Sequence, residues 1–384
     1  MEGACSPLER EWSLLKAACA SDLPPENLRS LLRGPIQWKT LFDLAETHGM
    51  RSLLHRMLTT VRDEVPTDEM RRLDASHETN LHRSLLISLE TIRVVDRLRS
   101  ISIDVLPYKG VALAEAAYGD IALRQSGDID LLIRSQDFFR VREELGQIGY
   151  RPHWSLSEAQ QHAYLKSGYE CAFDSAAGQN LLEVQWAIQP RFYAVDFDME
   201  GLFRRAVTTT VAGQEMAVPS PEDLFLILSV HAAKHVWARL IWLSDLARIM
   251  ILPRLDWRWI GSEAEELGIV RIVRTTLALA ERLLDAGIPD AAETCIPEDA
   301  DGASLAEDIQ RRIVSQSGLE TESLAYFRLM IQLRERQTDR MRFLARLAFT
   351  PGPGEWAAIR LPPSLFALYR VVRLSRLVAR SVGL

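Results

Sequence analysis

Apolar residues recur at three- and four-residue steps over most of the chain, and that spacing predicts helices. Trp38, Leu41, Phe42 and Leu44 mark one helix over Ile36 to His48, with Gly49 at its exit. Before it, Asp22-Leu-Pro-Pro-Glu puts a cap and early prolines ahead of a short helix, Asn27 to Leu32, that Gly34 stops. A longer helix is expected from Thr67, read as a cap followed by two acids, to Leu98. Leu85, Leu86, Leu89, Ile92, Val95 and Leu98 form its expected packing stripe. The first hundred residues therefore read as helical scaffold.

The pattern changes at Ile101 to Tyr108, which is short, β-branched and alternating, and Lys109-Gly110 opens a helix through Tyr118. Ile129 to Ile133 is the apolar run of a buried strand, and Ser135 caps a helix ending near Ile148-Gly149. Two further strands, Tyr169 to Phe173 and Leu181 to Trp186, are joined by the turn-prone Ser175-Ala-Ala-Gly178. After Pro219 the helical period returns, opened by Ser220-Pro-Glu-Asp and broken at Pro253, Gly287-Ile-Pro289, Glu298 to Gly302 and Pro351-Gly-Pro-Gly354. The expected fold is α+β and mainly helical. A small mixed-sheet core (101–218) lies between helical N-terminal (1–100) and C-terminal (219–384) regions.

Composition narrows the classes. The 384 residues are 47% hydrophobic and 25% charged, ordinary for a globular protein, and the net charge of −7 gives no reason to expect a nucleic-acid partner. Cys5, Cys19, Cys171 and Cys295 make no CxxC pair and no zinc-ligand spacing, so they are expected as core thiols in a reducing cytoplasm. MEGACSPLEREW lacks a signal-peptide layout, and no run reaches the about 18 apolar residues of a membrane span. Leu365 to Val382 is amphipathic, with Arg370, Arg373, Arg376 and Arg380 against Leu368, Val371, Val372, Leu374 and Val378. Its apolar side is expected to dock on the protein with the arginines in water. Contact with an anionic membrane surface is the alternative. Only five of the 45 basic residues are lysine, which makes a lysine inside a motif conspicuous.

The sharpest chemical feature is Asp128-Ile-Asp130 at the start of the buried run. Alternate strand residues share a face, so both carboxylates converge, and their repulsion is what a divalent cation relieves. Lys109-Gly110 sits where a strand meets a helix, a geometry that offers backbone N–H groups and a point charge to phosphate. Arg124 and Ser126 precede the acidic pair. Glu183 and Gln185 share one face of the last strand, with Leu182, Val184 and Trp186 on the other, so Glu183 is the candidate third carboxylate of a phosphoryl-transfer site. A second polar cluster comprises His231, Lys234, His235, Arg239 and Asp245. The four-residue spacing of 231, 235 and 239 places them on one helix face. That face can pack internally, hold zinc with Asp245, or line a cleft opposite Asp128 and Asp130.

Several of these motifs, in order, resemble the uncharacterised nucleotidyltransferase family of the DNA polymerase β-type superfamily. They are Lys109-Gly110-Val-Ala-Leu, Tyr118-Gly-Asp, Arg124, Asp128-Ile-Asp130-Leu-Leu-Ile and Leu145…Gly149-Tyr150. Trp38 with Ala45…His48-Gly49 is similar to its helical preface. Leu224…His231-Ala-Ala-Lys234-His235…Trp237…Leu240…Trp242-Leu-Ser-Asp245-Leu is similar to its later helical block. The likeness spans about residues 25 to 370. Two features depart from the superfamily. The gap from Gly110 to Asp128 is long, and Glu183-Val-Gln185-Trp186 stands where relatives often read Asp-x-His-Trp.

The resemblance implies Mg²⁺ or Mn²⁺ on Asp128, Asp130 and Glu183. It also implies an NTP, ATP first, held by Lys109, Gly110, Arg124 and Ser126, with Lys234 and His235 as further nucleotide or acceptor contacts. The expected reaction moves a nucleoside monophosphate to a hydroxyl or phosphate of a small-molecule or peptide acceptor. Family members encoded beside lasso-peptide and other peptide-maturation genes suggest that setting. The rivals are a non-catalytic protein of the same fold that binds a peptide or protein, and a phosphoryl or pyrophosphoryl transferase.

Overall fold

Buried apolar runs and one close carboxylate pair dictate the centre of the fold, a five-stranded sheet. The computed structural model describes residues 9–19, 23–153, 156–175, 182–320 and 323–381. The strands are β1 (Val105–Pro107), β2 (Ile129–Ile133), β3 (Tyr150–Pro152), β4 (Glu170–Ser175) and β5 (Leu182–Gln185), in spatial order β1-β2-β5-β4-β3. Only β2 and β5 run parallel, and the other neighbours are antiparallel. All five residues of β2 are buried, which explains its unbroken apolar character. Helices Gly110–Tyr118 and Phe138–Gln147 follow β1 and β2, the latter behind a 3₁₀ turn at Ser135–Asp137. The fold is mainly helical with one small mixed sheet, as the sequence pattern predicts.

Two apolar cores divide the work. One joins Leu14, Leu41 and Leu53 of the first helices to Leu226, Leu243 and Leu277 of the later block. The other packs Leu131, Phe138, Phe173 and Val184 of the sheet unit against Val94, Val95 and Leu98, and takes in Trp356 and Tyr369 from near the C-terminus. The Thr67–Ser100 helix, 34 residues long, contributes to both.

Several elements differ from the sequence expectation. The long helix starts after Pro66, so Thr67 is its first residue and not its cap. Its buried face is Ser84, Ile87, Ser88, Thr91, Val94, Val95 and Leu98, whereas Leu85, Leu86 and Leu89 are 45%, 68% and 64% exposed. The Ser88 and Thr91 hydroxyls bond back to the carbonyls of Ser84 and Ile87, both at 2.8 Å, so these two polar side chains pack there with their donors met. Periodicity placed Ile92, Val95 and Leu98 correctly on the core side, and Leu85, Leu86 and Leu89 wrongly.

The hairpin β6 (Val207–Val211) and β7 (Gln214–Val218) was not anticipated. Its turn residues, Ala212 and Gly213, both have positive φ, the geometry of a tight primed turn, without the usual Asn-Gly signal. Strand β3 and helices Glu158–Tyr164 and Met199–Arg205 also went unread. Asp22, Leu181, residues 176–178 of the expected turn, Cys5 and Val382 lie outside the described residues. Cys171 is buried and Cys19 and Cys295 are half-buried, all as free thiols.

Helix Pro221–Lys234 begins at Ser220, whose hydroxyl accepts the Asp223 N–H at 3.1 Å. It ends abruptly. Val236 and Trp237 both adopt left-handed conformations, and helix Leu240–Met250 starts in a new direction. Trp237 is fully buried and donates its indole N–H to Thr276 at 3.0 Å, which holds this unfavourable turn in place. We predict that Trp237→Ala lowers stability by about 3–5 kcal/mol, read as a fall in the urea unfolding midpoint. Leu86→Ser, on the exposed stripe, should stay within about 0.5 kcal/mol of the parent.

Candidate active site

The acids come together because of strand register. Asp130 pairs with Glu183 across the parallel β2–β5 ladder, and Gln185 faces Glu170 across the antiparallel β5–β4 ladder. Alternation puts all four side chains on one face of the sheet, with Asp128 just ahead on the same parity. Gln185 ties this row. Its Nε2 lies 3.3 Å from Asp130 Oδ1, 3.3 Å from Glu183 Oε2 and 3.5 Å from Glu170 Oε2, while its Oε1 accepts the Tyr108 hydroxyl at 2.6 Å. Lys109 Nζ donates to Asp130 Oδ1 at 3.0 Å. At the other end Lys234 Nζ donates to the Tyr169 hydroxyl at 3.1 Å and lies over its ring.

Burial and repulsion raise the proton affinity of Asp128, Glu170 and Glu183. Burial, then Asp130, lifts the Asp128 pKa above the ordinary carboxylate value, and the same two causes lift Glu183 to about 7. Burial raises Glu170 too, against the pull of Tyr169 and Lys234. Burial opposes the Lys109 charge, but Asp130 and Tyr108 together outweigh it and hold the ammonium protonated.

Gly110 makes the approach of the two loops possible. Its φ is +55°, and a Cβ there would stand 3.1 Å from the Asp128 carbonyl oxygen. On the outer side Asn80 of the long helix donates to the Ala122 carbonyl at 2.8 Å and to Ser52 Oγ at 3.1 Å, fixing the loop that carries Arg124 and Ser126. Arg124 is buried, and its Nε sits 3.1 and 3.0 Å from the two oxygens of Asp245. Tyr118 adds a hydroxyl donor to Asp245 at 2.9 Å, and Arg124 Nη1 reaches Ser126 Oγ at 3.3 Å.

These walls enclose a cavity of about 450 Å³. Lys109, Gly110, Arg124, Ser126, Asp128 and Asp130 line one side, and His231, His235, Arg239 and Trp242 the other, with Arg83 at the edge. The cleft arrangement expected for the second polar cluster is thus present for its histidines and Arg239, though by a different route. Helix Pro221–Lys234 stops before Arg239, so the three do not share a helix face; the left-handed turn brings Arg239 back. Lys234 points instead toward Tyr169. Glu183 lies one strand behind Asp130, off the cavity wall.

The zinc alternative loses its aspartate, because Asp245 is engaged by Arg124 and Tyr118. Among the described residues no three His, Cys, Asp or Glu side chains stand ready to hold a metal. Asp128, Asp130 and Glu183 nevertheless offer only hard oxygen donors, and the raised proton affinity of Asp128 and Glu183 is the strain a divalent cation removes, so this donor set suits Mg²⁺ or Mn²⁺.

Sequence reading missed Glu170, Arg83 and the linking role of Gln185. Glu170 carried a signal in its two-residue alternation with Ala172, but the β4–β5 register needed to align it was not legible. Trp242 was quoted as part of a motif and turns out to line the cavity with both histidines edge-on or tilted against it.

A small mixed sheet carrying the acid row, set between helical blocks, frames the site. The chain belongs to the uncharacterised nucleotidyltransferase family, whose model matches residues 34–285, well over half of the chain. The match ends earlier than the span of 25 to 370 that the motifs suggested. Among solved structures, an antigenic nucleotidyltransferase-like protein from Paracoccidioides brasiliensis is similar at 16% identity and a TM-score of 0.32, covering 56% of this chain and 96% of that one. No curated protein matches the chain. No described helix is long and apolar enough to cross a membrane.

Burial, then the nearby Lys234 charge, lowers the His235 pKa to about 4, and burial with Arg239 does the same for His48. His48 accepts the Leu240 N–H at 3.4 Å beneath this turn. The unfolded chain takes up these protons near 6.5 and the folded chain only near 4. Between those values the unfolded state binds more protons, so stability falls as pH falls. Each histidine should contribute a slope of up to about 1.4 kcal/mol per pH unit between pH 6.5 and 4, opposed there by the raised carboxylates of the acid row, so its share is read as the difference between parent and variant in the pH dependence of the urea midpoint. His48→Gln should flatten the slope, and an unchanged slope would contradict the assignment.

Proposed function

We propose that the protein is a divalent-cation-dependent nucleotidyltransferase. It moves a nucleoside monophosphate from an NTP, with ATP the first to test, to a hydroxyl or phosphate oxygen of a small-molecule or peptide acceptor. One observation carries this reading: a cavity lined by Arg83, Lys109, Arg124 and Arg239 opens directly onto Asp128 and Asp130. Cations around the walls suit a triphosphate, and acids at the floor suit its metal. A protein that only bound a peptide would have no use for a buried row of acids whose mutual repulsion costs stability.

Asp128, Asp130 and Glu183 would hold Mg²⁺, which supplies charge neutralisation to the reacting phosphate oxygens. The Gly110–Tyr118 helix presents its first N–H groups to the phosphates, and Lys109 adds a mobile charge. Without nucleotide, Lys109 spends that charge on Asp130. Arg124, clamped by Asp245, offers a fixed guanidinium edge. Trp242 gives the base an aromatic surface. An acceptor oxygen forms the new bond to the α-phosphorus, the bond from that phosphorus to the bridging oxygen breaks, and pyrophosphate leaves with the electron pair. Glu183, with its pKa near 7, is suited to take the acceptor's proton. Peptide natural-product maturation as the setting rests on family resemblance, and the neighbouring genes test it.

Calorimetry with ATP, GTP, CTP and UTP should show binding that needs Mg²⁺ or Mn²⁺. Asp128→Asn and Asp130→Asn should lower transfer by at least about 100-fold with the circular-dichroism spectrum kept. Undiminished transfer by either variant would remove the metal assignment. Lys109→Ala should weaken triphosphate binding more than nucleoside binding, and equal losses would make Lys109 structural.

A further inference from the structure

A second cavity, of about 240 Å³, meets the acid row at its opposite end. The row runs Asp130, Glu183, Glu170 over the adjacent strands β2, β5 and β4. The first cavity touches it at Asp130 and the second at Glu170. The far wall of the second cavity comes from residues 350–376, beyond the reach of the family match.

That wall is held by Tyr369. Fully buried, it donates its hydroxyl proton to the Ile359 carbonyl at 2.7 Å and accepts from Leu361 N and Gln160 Nε2, both at 3.1 Å. Arg373 and Arg376 follow four and seven residues later, on the same helix face. Arg373 turns inward and Arg376 partly so, their side chains 12% and 34% exposed, contrary to the expectation that they would lie in water, while Leu368, Val371 and Leu374 are exposed.

Both arginines meet one buried carboxylate. Glu355 Oε1 is 3.5 Å from Arg373 Nη1 and 3.1 Å from Arg376 Nη1, and Oε2 is used by the Gly352 N–H at 2.8 Å. Two positive charges thus face one negative charge, and the buried Arg376 Nη1 makes no hydrogen bond. A cavity with an excess cation at one end and the acid row at the other has the polarity of a site for an anionic molecule that brings a hydroxyl to the row.

We infer that the second cavity is the acceptor subsite and takes a small acceptor bearing a carboxylate or phosphate, bound by Arg376 with Arg373 and presenting its hydroxyl beside Glu170. The acceptor role rests on the nucleotidyltransferase reading; the anion site does not. The acceptor oxygen bonds to the α-phosphorus, pyrophosphate departs, and the hydroxyl proton passes to the acid row.

The test is calorimetry on the full chain, with and without saturating Mg²⁺ and a non-hydrolysable ATP analogue. The probes are inorganic phosphate, O-phosphoserine, malate and uncharged glycerol. At least one anion should bind the parent in both arms and glycerol in neither, with the phosphate and carboxylate probes separating the two chemistries. Arg376→Gln should weaken anion binding by about tenfold or more and leave analogue binding unchanged. Gly354→Ala, whose Cβ would stand 2.6 Å from Arg376 Nη1, should displace that side chain and act in the same direction. If no anion binds, or Arg376→Gln binds as the parent does, the inference is overturned. If anions bind through Arg376 but the analogue never binds, the nucleotidyltransferase reading and the acceptor role fall together and only an anion site stands.

Discussion

Repulsion among buried carboxylates is the constraint around which the rest of the molecule is arranged. Asp128, Asp130, Glu183 and Glu170 crowd one face of a three-strand patch, Asp130 buried and the others half-buried, where solvent screens them poorly. The protein answers with a cation at each end, Lys109 and Lys234, and with the Gln185 amide in the middle. An amide with two N–H groups among three carboxylates leaves the row incompletely satisfied. That residual strain makes the site receptive to an added cation, whereas a fully neutralised row would resist one.

Holding such a row together demands a rigid frame, and the chain builds it from distant segments. The Arg124–Asp245–Tyr118 group bolts the loop before the acids to helix Leu240–Met250. A buried charge pair contributes little to stability against an apolar replacement, yet breaking it by removing one partner is costly. It therefore acts as a registration device: the α/β core and helical block meet in one arrangement, with Trp242 and the two histidines over the cavity. The left-handed turn at Val236 and Trp237 serves the same end, since a continuous helix would have carried Arg239 away from the acids.

Much of this was legible in the sequence where a local pattern decides the outcome. The apolar run of β2, the Ser220 cap and the Asp-x-Asp pair were read from neighbouring residues, because strand alternation and capping are local physics. Glu170 was not, because its place beside Gln185 depends on a cross-strand register set by packing. The long helix shows the same limit: two apolar stripes compete, and the choice of Ser84, Ser88 and Thr91 for the buried side depends on how closely the sheet approaches. The C-terminal arginines fail for a third reason. Charge alone sends them to solvent, but Glu355, buried through backbone contacts at Gly352, draws them in.

The uneven use of lysine and arginine follows from the same electrostatics. Lysine supplies only five of 45 basic residues, yet two of the five face the acid row. Arginine's planar fork suits a fixed bidentate partner, which is how Arg124 meets Asp245. A lysine ammonium is a compact charge on a flexible stem and can leave one carboxylate for another anion at low geometric cost. On the proposed reading, a site that keeps its own shape and yields to nucleotide and cation needs both kinds of charge. Arginine fixes the walls, and lysine sets a movable charge at either end of the acid row.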